Sequence, residues 1–126
     1  QISSITVDFK GFVTHNDSLK LMKSASLLFT ILPTQKFDEI IISGKMMEYI
    51  ASRKPILCIG NKMGDAAKLI DKTQSGFTFS SDEVEPMSHI ITPCYKQEFK
   101  VSDTIPIQNY SRESITKKLY NFLKGL

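Results

Sequence analysis

Apolar and polar residues alternate along Ile5-Thr6-Val7-Asp8-Phe9 with the period of two that a strand requires, and Gly11 marks a sharp exit. Asn16-Asp17-Ser18 then offers N-cap oxygens for a short helix with Leu19, Met22 and Ala25 on its inner face. Leu27 to Leu32 is an apolar run of strand length stopped by Pro33, of the kind found in a sheet covered on both faces. A polar loop from Pro33 to Asp38 follows, and Ile40-Ile41-Ile42 is too short to assign as anything but connection. From Gly44 the period becomes helical, with Met46, Met47, Ile50 and Ala51 facing inward. Lys45, Glu48 and Ser52 recur at i, i+3 and i+7 on the other face. This helix ends before Pro55 and leads into a buried strand, Ile56 to Ile59, closed by a turn at Gly60-Asn61.

Asp65 caps the next predicted helix, which packs Ala66, Ala67, Leu69 and Ile70 and takes Gly76 as terminator. Phe77-Thr78-Phe79 reads as a short strand. Ser81 or Asp82 caps a fourth helix, with Pro86 in its first turn, Val84, Met87, Ile90 and Ile91 inward, and Pro93 closing it. Cys94 to Tyr110 shows no sustained period, although Glu98 to Val101 suits a small edge strand. Ser111 caps the final helix, whose stripe of Ile115, Leu119, Phe122, Leu123 and Leu126 calls for something to dock against. Strands alternating with helices predict an α/β fold: a parallel, Rossmann-like sheet flanked by helices, with ligands bound beyond the carboxyl ends of the strands. The loops of interest are therefore 10–17, 33–45, 60–65 and 80–82.

Composition bounds this picture. With 126 residues, 41% hydrophobic and 23% charged, the chain forms one domain at most. No apolar run approaches the ~18 residues of a membrane span. Gln1-Ile2-Ser3-Ser4 lacks the basic region and apolar core of a signal peptide, so a cytoplasmic location is expected. The net charge of +3 is small and its lysines are interspersed with acids, which gives nucleic-acid binding no specific support. It suits an anionic ligand, or a position peripheral to the acidic inner face of a cell membrane. Cys58 and Cys94 read as reduced thiols, and His89 near Cys94 supplies too few ligands for a metal.

Gly44-Lys45 lacks the upstream glycine and the following Ser or Thr of a phosphate-binding P-loop, so that motif fails. General physics remains. A helix N-terminus presents unpaired N–H groups and partial positive charge, and a lysine in its first turn favours a phosphate or diphosphate there. Glu48, one turn on, suits the paired hydroxyls of a ribose. The plainer alternative is a solvated Lys45–Glu48 pair contributing ~0.3 kcal/mol, which spacing alone favours. Gly64-Asp65 reads as a helix cap or as N–H groups near a phosphate, and Gly11 as a turn or as an opening that lets a ligand approach the backbone. His15 and His89 read as surface residues, Ser43 has no nearby histidine in sequence, and no nucleophile, base and acid assemble into catalytic machinery. Residues alone point to binding, with catalytic residues unassigned.

The segment Gly44-Lys45-Met46-Met47-Glu48-Tyr49-Ile50-Ala51, continued by Lys54-Pro55-Ile56-Leu57, resembles the donor-site segment of retaining glycosyltransferases with two Rossmann-like domains, the GT-B group 1 or family 4 type. The likeness extends to Val7–Val13, Ala25–Phe29, Gly64–Ala67 and Gly76-Phe77, and covers most of the chain. It implies transfer of a sugar from a nucleotide diphosphate donor to a glycan acceptor, as in surface or capsular polysaccharide synthesis. No bound metal or other cofactor is implied, because basic residues and helix dipoles hold the diphosphate. Glu48 matches the family glutamate that binds the ribose, and Lys45 a subgroup lysine near the phosphates. Gly44, Gly11 and Gly64 complete the expected donor-site set. Many members carry a further glutamate eight positions before the ribose-binding one, where this chain has Ile40.

The resemblance reaches only the later part of the second domain, so residues 1–126 read as one partial domain. The acceptor domain, or another chain, would complete the fold, and the isolated polypeptide is expected to show no turnover. Alternatives are a nucleotide-sugar epimerase of the same architecture and a non-catalytic α/β interaction module. The strand around Val7 is expected either to pair with that around Leu28 or to belong to a sheet completed by another molecule.

Overall fold

A computed structural model describes residues 6–33 and 38–126. In chain order it contains α1 (His15–Ser24), β1 (Leu28–Ile31), a 3-10 turn (Asp38–Ile40), α2 (Gly44–Ser52), β2 (Ile56–Ile59), α3 (Asp65–Thr73), β3 (Gly76–Phe79), α4 (Val84–Tyr95), a second 3-10 turn (Ile107–Tyr110) and α5 (Arg112–Lys124). The α/β class expected from the alternation is present, as a small open sheet of three parallel strands in the order β1-β2-β3.

Register is fixed by the run of pairs Leu28–Ile56–Gly76 to Ile31–Ile59–Phe79. The ladder continues beyond the strands, with Leu32 N–H donating to Ile59 O and Gly60 N–H donating to Phe79 O. Partnered residues point to the same face. On one face Ile56 and Cys58 meet Met46 and Ile50 of α2 and Ala66, Leu69 and Ile70 of α3, which with Leu32 form the core. β2 is the buried centre, as its unbroken apolar run requires.

Gly76 starts β3 and does not terminate α3, which ends instead on a left-handed Gln74. The reason is space. A Cβ at position 76 would fall 1.9 Å from the Ile56 carbonyl oxygen, so only glycine lets β3 reach β2 in this register.

The opposite face is covered unevenly. Leu57 is buried there and Phe77 packs against Phe99 with ring centroids 4.9 Å apart. Over β1 it is bare: Phe29 is 49% and Ile31 64% exposed, so the run from Leu27 to Leu32 is not enclosed on both sides. α1 packs against α2 and leaves that surface open.

The strand expected over Ile5 to Phe9 does not form in its described part, Ile5 lying outside the described residues. Val7 and Phe9 project into solvent, and no strand pairs with the outer edge of β1 among the described residues. Alternation supplies a strand with a face to bury, but a strand also needs a neighbour for its N–H and C=O groups.

Other boundaries shift for local reasons. α1 is capped by Thr14, whose hydroxyl accepts from Asp17 N–H, and not by residues 16–18. Gly64 is the N-cap of α3, with Asp65 as its first residue. α4 starts after Glu83 and continues through Pro93 to Tyr95, past the stop expected at the proline, which costs the helix one N–H near its end. Residues 98–101 are irregular, without the expected edge strand. Arg53 caps α2 in the left-handed region at φ 55°, and its guanidinium donates to the carbonyls of Ser102, at 2.5 Å, and Ile105, at 3.1 Å. One side chain thus ties the irregular segment to the end of α2.

Gly76→Ala is expected to lose more than ~4 kcal/mol or fail to fold, since the clash is with backbone on the central strand. Urea denaturation followed by circular dichroism measures it. A loss below ~1 kcal/mol would show that β3 can move off β2.

Candidate functional site

In a parallel sheet the helix following each strand begins at the strands' carboxyl edge, and there the loops before α1, α2 and α3 converge. α2 is held down by Met46 and Ile50, at 1% and 2% exposure. Its other residues are oriented as a consequence. Ser43 caps it, the hydroxyl accepting from Met46 N–H at 3.2 Å, while the N–H groups of Gly44 and Lys45 have no helical acceptor.

Lys45 and Glu48 do not pair with each other. Glu48 turns toward α1, where its carboxylate lies 3.9 Å from His15 Nδ1, an ion pair when the imidazole is protonated and too long for a direct hydrogen bond. Two hollows adjoin at this point. One, of about 200 Å³ between α1 and α2, is lined by His15, Leu19, Met22, Glu48 and Ser52 among others. The second, about 370 Å³ and open to solvent, is formed by Gly11, Phe12, Val13, His15, Ser18 and Lys45. His15 stands in the wall of both. A largely apolar hollow carrying a carboxylate beside an open one carrying a lysine is suited to a ligand with an apolar or hydroxylated part and an anionic part.

The five expected ligand-binding residues therefore separate. Gly11, at φ 61° with no atom within 4 Å of an added Cβ, shares the open hollow with Lys45, and Glu48 borders its neighbour. Gly44 faces the other side of α2, toward Met47, Ile107, Tyr110 and Ile115. Gly64 lines neither hollow. It sits where a Cβ would come within 3.1 Å of Asn61 O and 3.4 Å of Glu39 Cα, a packing reason for glycine. His15 is a surface residue, as the sequence implies, with 68% of its side chain exposed. Its position at the start of the helix after the Gly11 loop was the available signal, but only the packing of α1 on α2 brings it to Glu48.

No family model, curated protein or solved structure matches this chain. Function has therefore to be argued from the site.

Three further groups, Cys58, Cys94 and Glu83, lie outside the hollows. Cys58 is buried, and burial pushes its thiol up to about 11, so it is protonated at neutral pH. Burial likewise raises Cys94. Glu83 clamps two loops at the carboxyl edge: Lys62 Nζ donates to its Oε1 at 2.8 Å, and the N–H and hydroxyl of Ser80 donate to its Oε2 at 2.8 and 3.0 Å. The Lys62 hydrogen bond first, then those from Ser80, hold the carboxyl at about 2, below its ordinary 4.5.

A depressed pKa stabilises the fold fully above the unfolded value, and this contribution is lost as pH falls through the folded one. The stability gap between the native chain and Glu83→Gln is accordingly expected to shrink below pH 4.5 and to close near about 2. Thermal unfolding of both across pH 6 to 2 (about one scan per half unit) checks this. A gap independent of pH would mean that the clamp does not depend on ionised Glu83.

Proposed function

We propose that this chain is the donor-nucleotide-binding part of a glycosyltransferase with two Rossmann-like domains. It would hold a nucleotide diphosphate sugar whose glycosyl group passes to a glycan acceptor, as in surface or capsular polysaccharide synthesis. The observation that carries this reading is the division of labour between Lys45 and Glu48. A pair serving only each other would be in contact, whereas here Glu48 is turned to the α1–α2 hollow beside His15 and Lys45 borders the open one.

In this reading Glu48 accepts hydrogen bonds from the two ribose hydroxyls, and Lys45 with the free N–H groups of α2 neutralises the diphosphate. The Gly11-Phe12-Val13 loop borders the remaining ligand surface. A basic side chain and a helix N-terminus can hold a diphosphate without metal, in keeping with the resemblance of this segment. Chemistry would require the acceptor domain, and no catalytic residue is assigned within this chain.

Calorimetric titration of the chain with UDP and GDP tests the proposal. Saturable binding of one or both is expected, weakened about tenfold or more by Glu48→Ala and by a similar or smaller factor by Lys45→Ala, as loss of charge-assisted hydrogen bonds predicts. Lys72→Ala serves as the control, since this exposed lysine in the last turn of α3 lines neither hollow and the variant should fold and bind normally. Absence of binding by both nucleotides, or binding unchanged in Glu48→Ala and Lys45→Ala, would remove the basis for the proposal.

A further inference from the structure

His15 has no role in the donor-nucleotide reading, yet it is the residue common to the linings of both hollows. Glu48 borders the first, Lys45 borders the second, and His15 stands between them. Its place is set by α1. Thr14 caps that helix, so His15 opens the first turn directly after the Gly11 loop, and the buried Met22 anchors the helix two turns on. The ring approaches Glu48 through Nδ1, at 3.9 Å. The two nitrogens of an imidazole point in different directions, so Nε2 is left for a ligand.

Charge decides what that nitrogen serves. Glu48 and Lys45 of α2 and Lys23 of α1 are the charged groups that line the two hollows with His15. Asp17, two residues on, is already held by the Thr14 hydroxyl and by Lys20, and Lys10 in the preceding loop pairs with Asp8. Among the described residues no acid lines the open hollow. Lys45 and the first N–H groups of α1 and α2 make it a place for an anion. A protonated imidazole adds a second cation there, and imidazole is the side chain whose charge changes between about pH 5 and 8. Protonation also draws Glu48 toward His15 and away from a ribose. The two effects oppose each other, and their strengths decide. The Glu48 contact is long, with the His15 and Glu48 side chains 68% and 38% exposed, and such pairs are weak. A charge-assisted hydrogen bond to a phosphate is the stronger kind, so the gain at the anion prevails.

We propose that His15 is a third ligand-binding residue of this site, which contacts the diphosphate as an imidazolium, so that the site takes up a proton as it binds. The inference rests on the donor-nucleotide reading and adds to it a dependence on pH: affinity rises as pH falls from about 8 to about 6.

Calorimetric titration of the native chain and of His15→Gln with UDP and GDP at these two pH values tests it. Glutamine keeps a hydrogen-bond donor but cannot take a charge. The terminal phosphate of the nucleotide titrates in the same range, but it does so for both chains and cancels in their ratio. The ratio of native to variant affinity is expected to grow about fivefold from the higher pH to the lower, as gain of a charge-assisted contact predicts. Circular dichroism of the variant should be unchanged, because the side chain is exposed. Adding UDP at about pH 6.5 should also move the His15 ring resonances toward their protonated positions and leave those of His89, on α4, in place. If both chains bind nucleotide with a ratio that is constant or falls toward low pH, and the His15 resonances stay where they were, the role of His15 is overturned and the donor-nucleotide reading stands. If the native chain binds neither nucleotide, both are overturned.

Discussion

Close approach of three parallel backbones at one point is the constraint on which the rest of this structure depends. At the Leu28–Ile56–Gly76 level the ladder brings β3 so near to β2 that no side chain fits at position 76. Once these strands are in register, Ile56 and Cys58 present a flat apolar face, and the two helices that connect the strands must cover it. That covering fixes where α2 and α3 begin. Both start at the same end of the sheet, and their free N–H groups gather there.

α2 turns this constraint into a candidate site. Met46 and Ile50 anchor it so completely that its remaining faces have set directions, one toward α1 and one toward the turn before α5. Glu48 reaches His15 on the first of these faces, and Lys45 opens onto the hollow beyond it. At the other end Arg53 reverses the chain and holds the segment around Ser102 and Ile105 by hydrogen bonds to their carbonyls. A helix of nine residues therefore links the core, the hollows and the approach to α5.

Legibility from sequence tracked how local the determining interaction was. The helix from Gly44, the strand Ile56–Ile59 and the Ser111 cap of α5 are all where the pattern puts them, because a cap, a period and a proline act within a few residues. Thr14 and Glu83 do not stand out in sequence as helix caps, since several neighbouring polar residues could serve and only the finished loop selects among them. Gly76 reads in sequence as a helix terminator, although its reason is the Ile56 carbonyl twenty residues away. In the site, spacing puts Lys45 and Glu48 on one helix face and favours a pair, which does not form. The position of α1 decides that, and His15 entered only with it.

By itself the sequence determined the α/β alternation, the two-sided character of α2 and the apolar stripe of α5, since each is a periodicity encoded by successive residues. Tertiary structure alone decided which faces are covered. Among the described residues it left Val7 and Phe9 without a strand partner, bared Phe29 and Ile31, placed Glu48 beside His15, and left the apolar stripe of α5 uncovered. The physical reason is the same in every case. Periodicity states what a segment must bury, but whether it is buried depends on the relative positions of segments far apart in the chain, which the parallel ladder of β1, β2 and β3 and the helices packed on it fix.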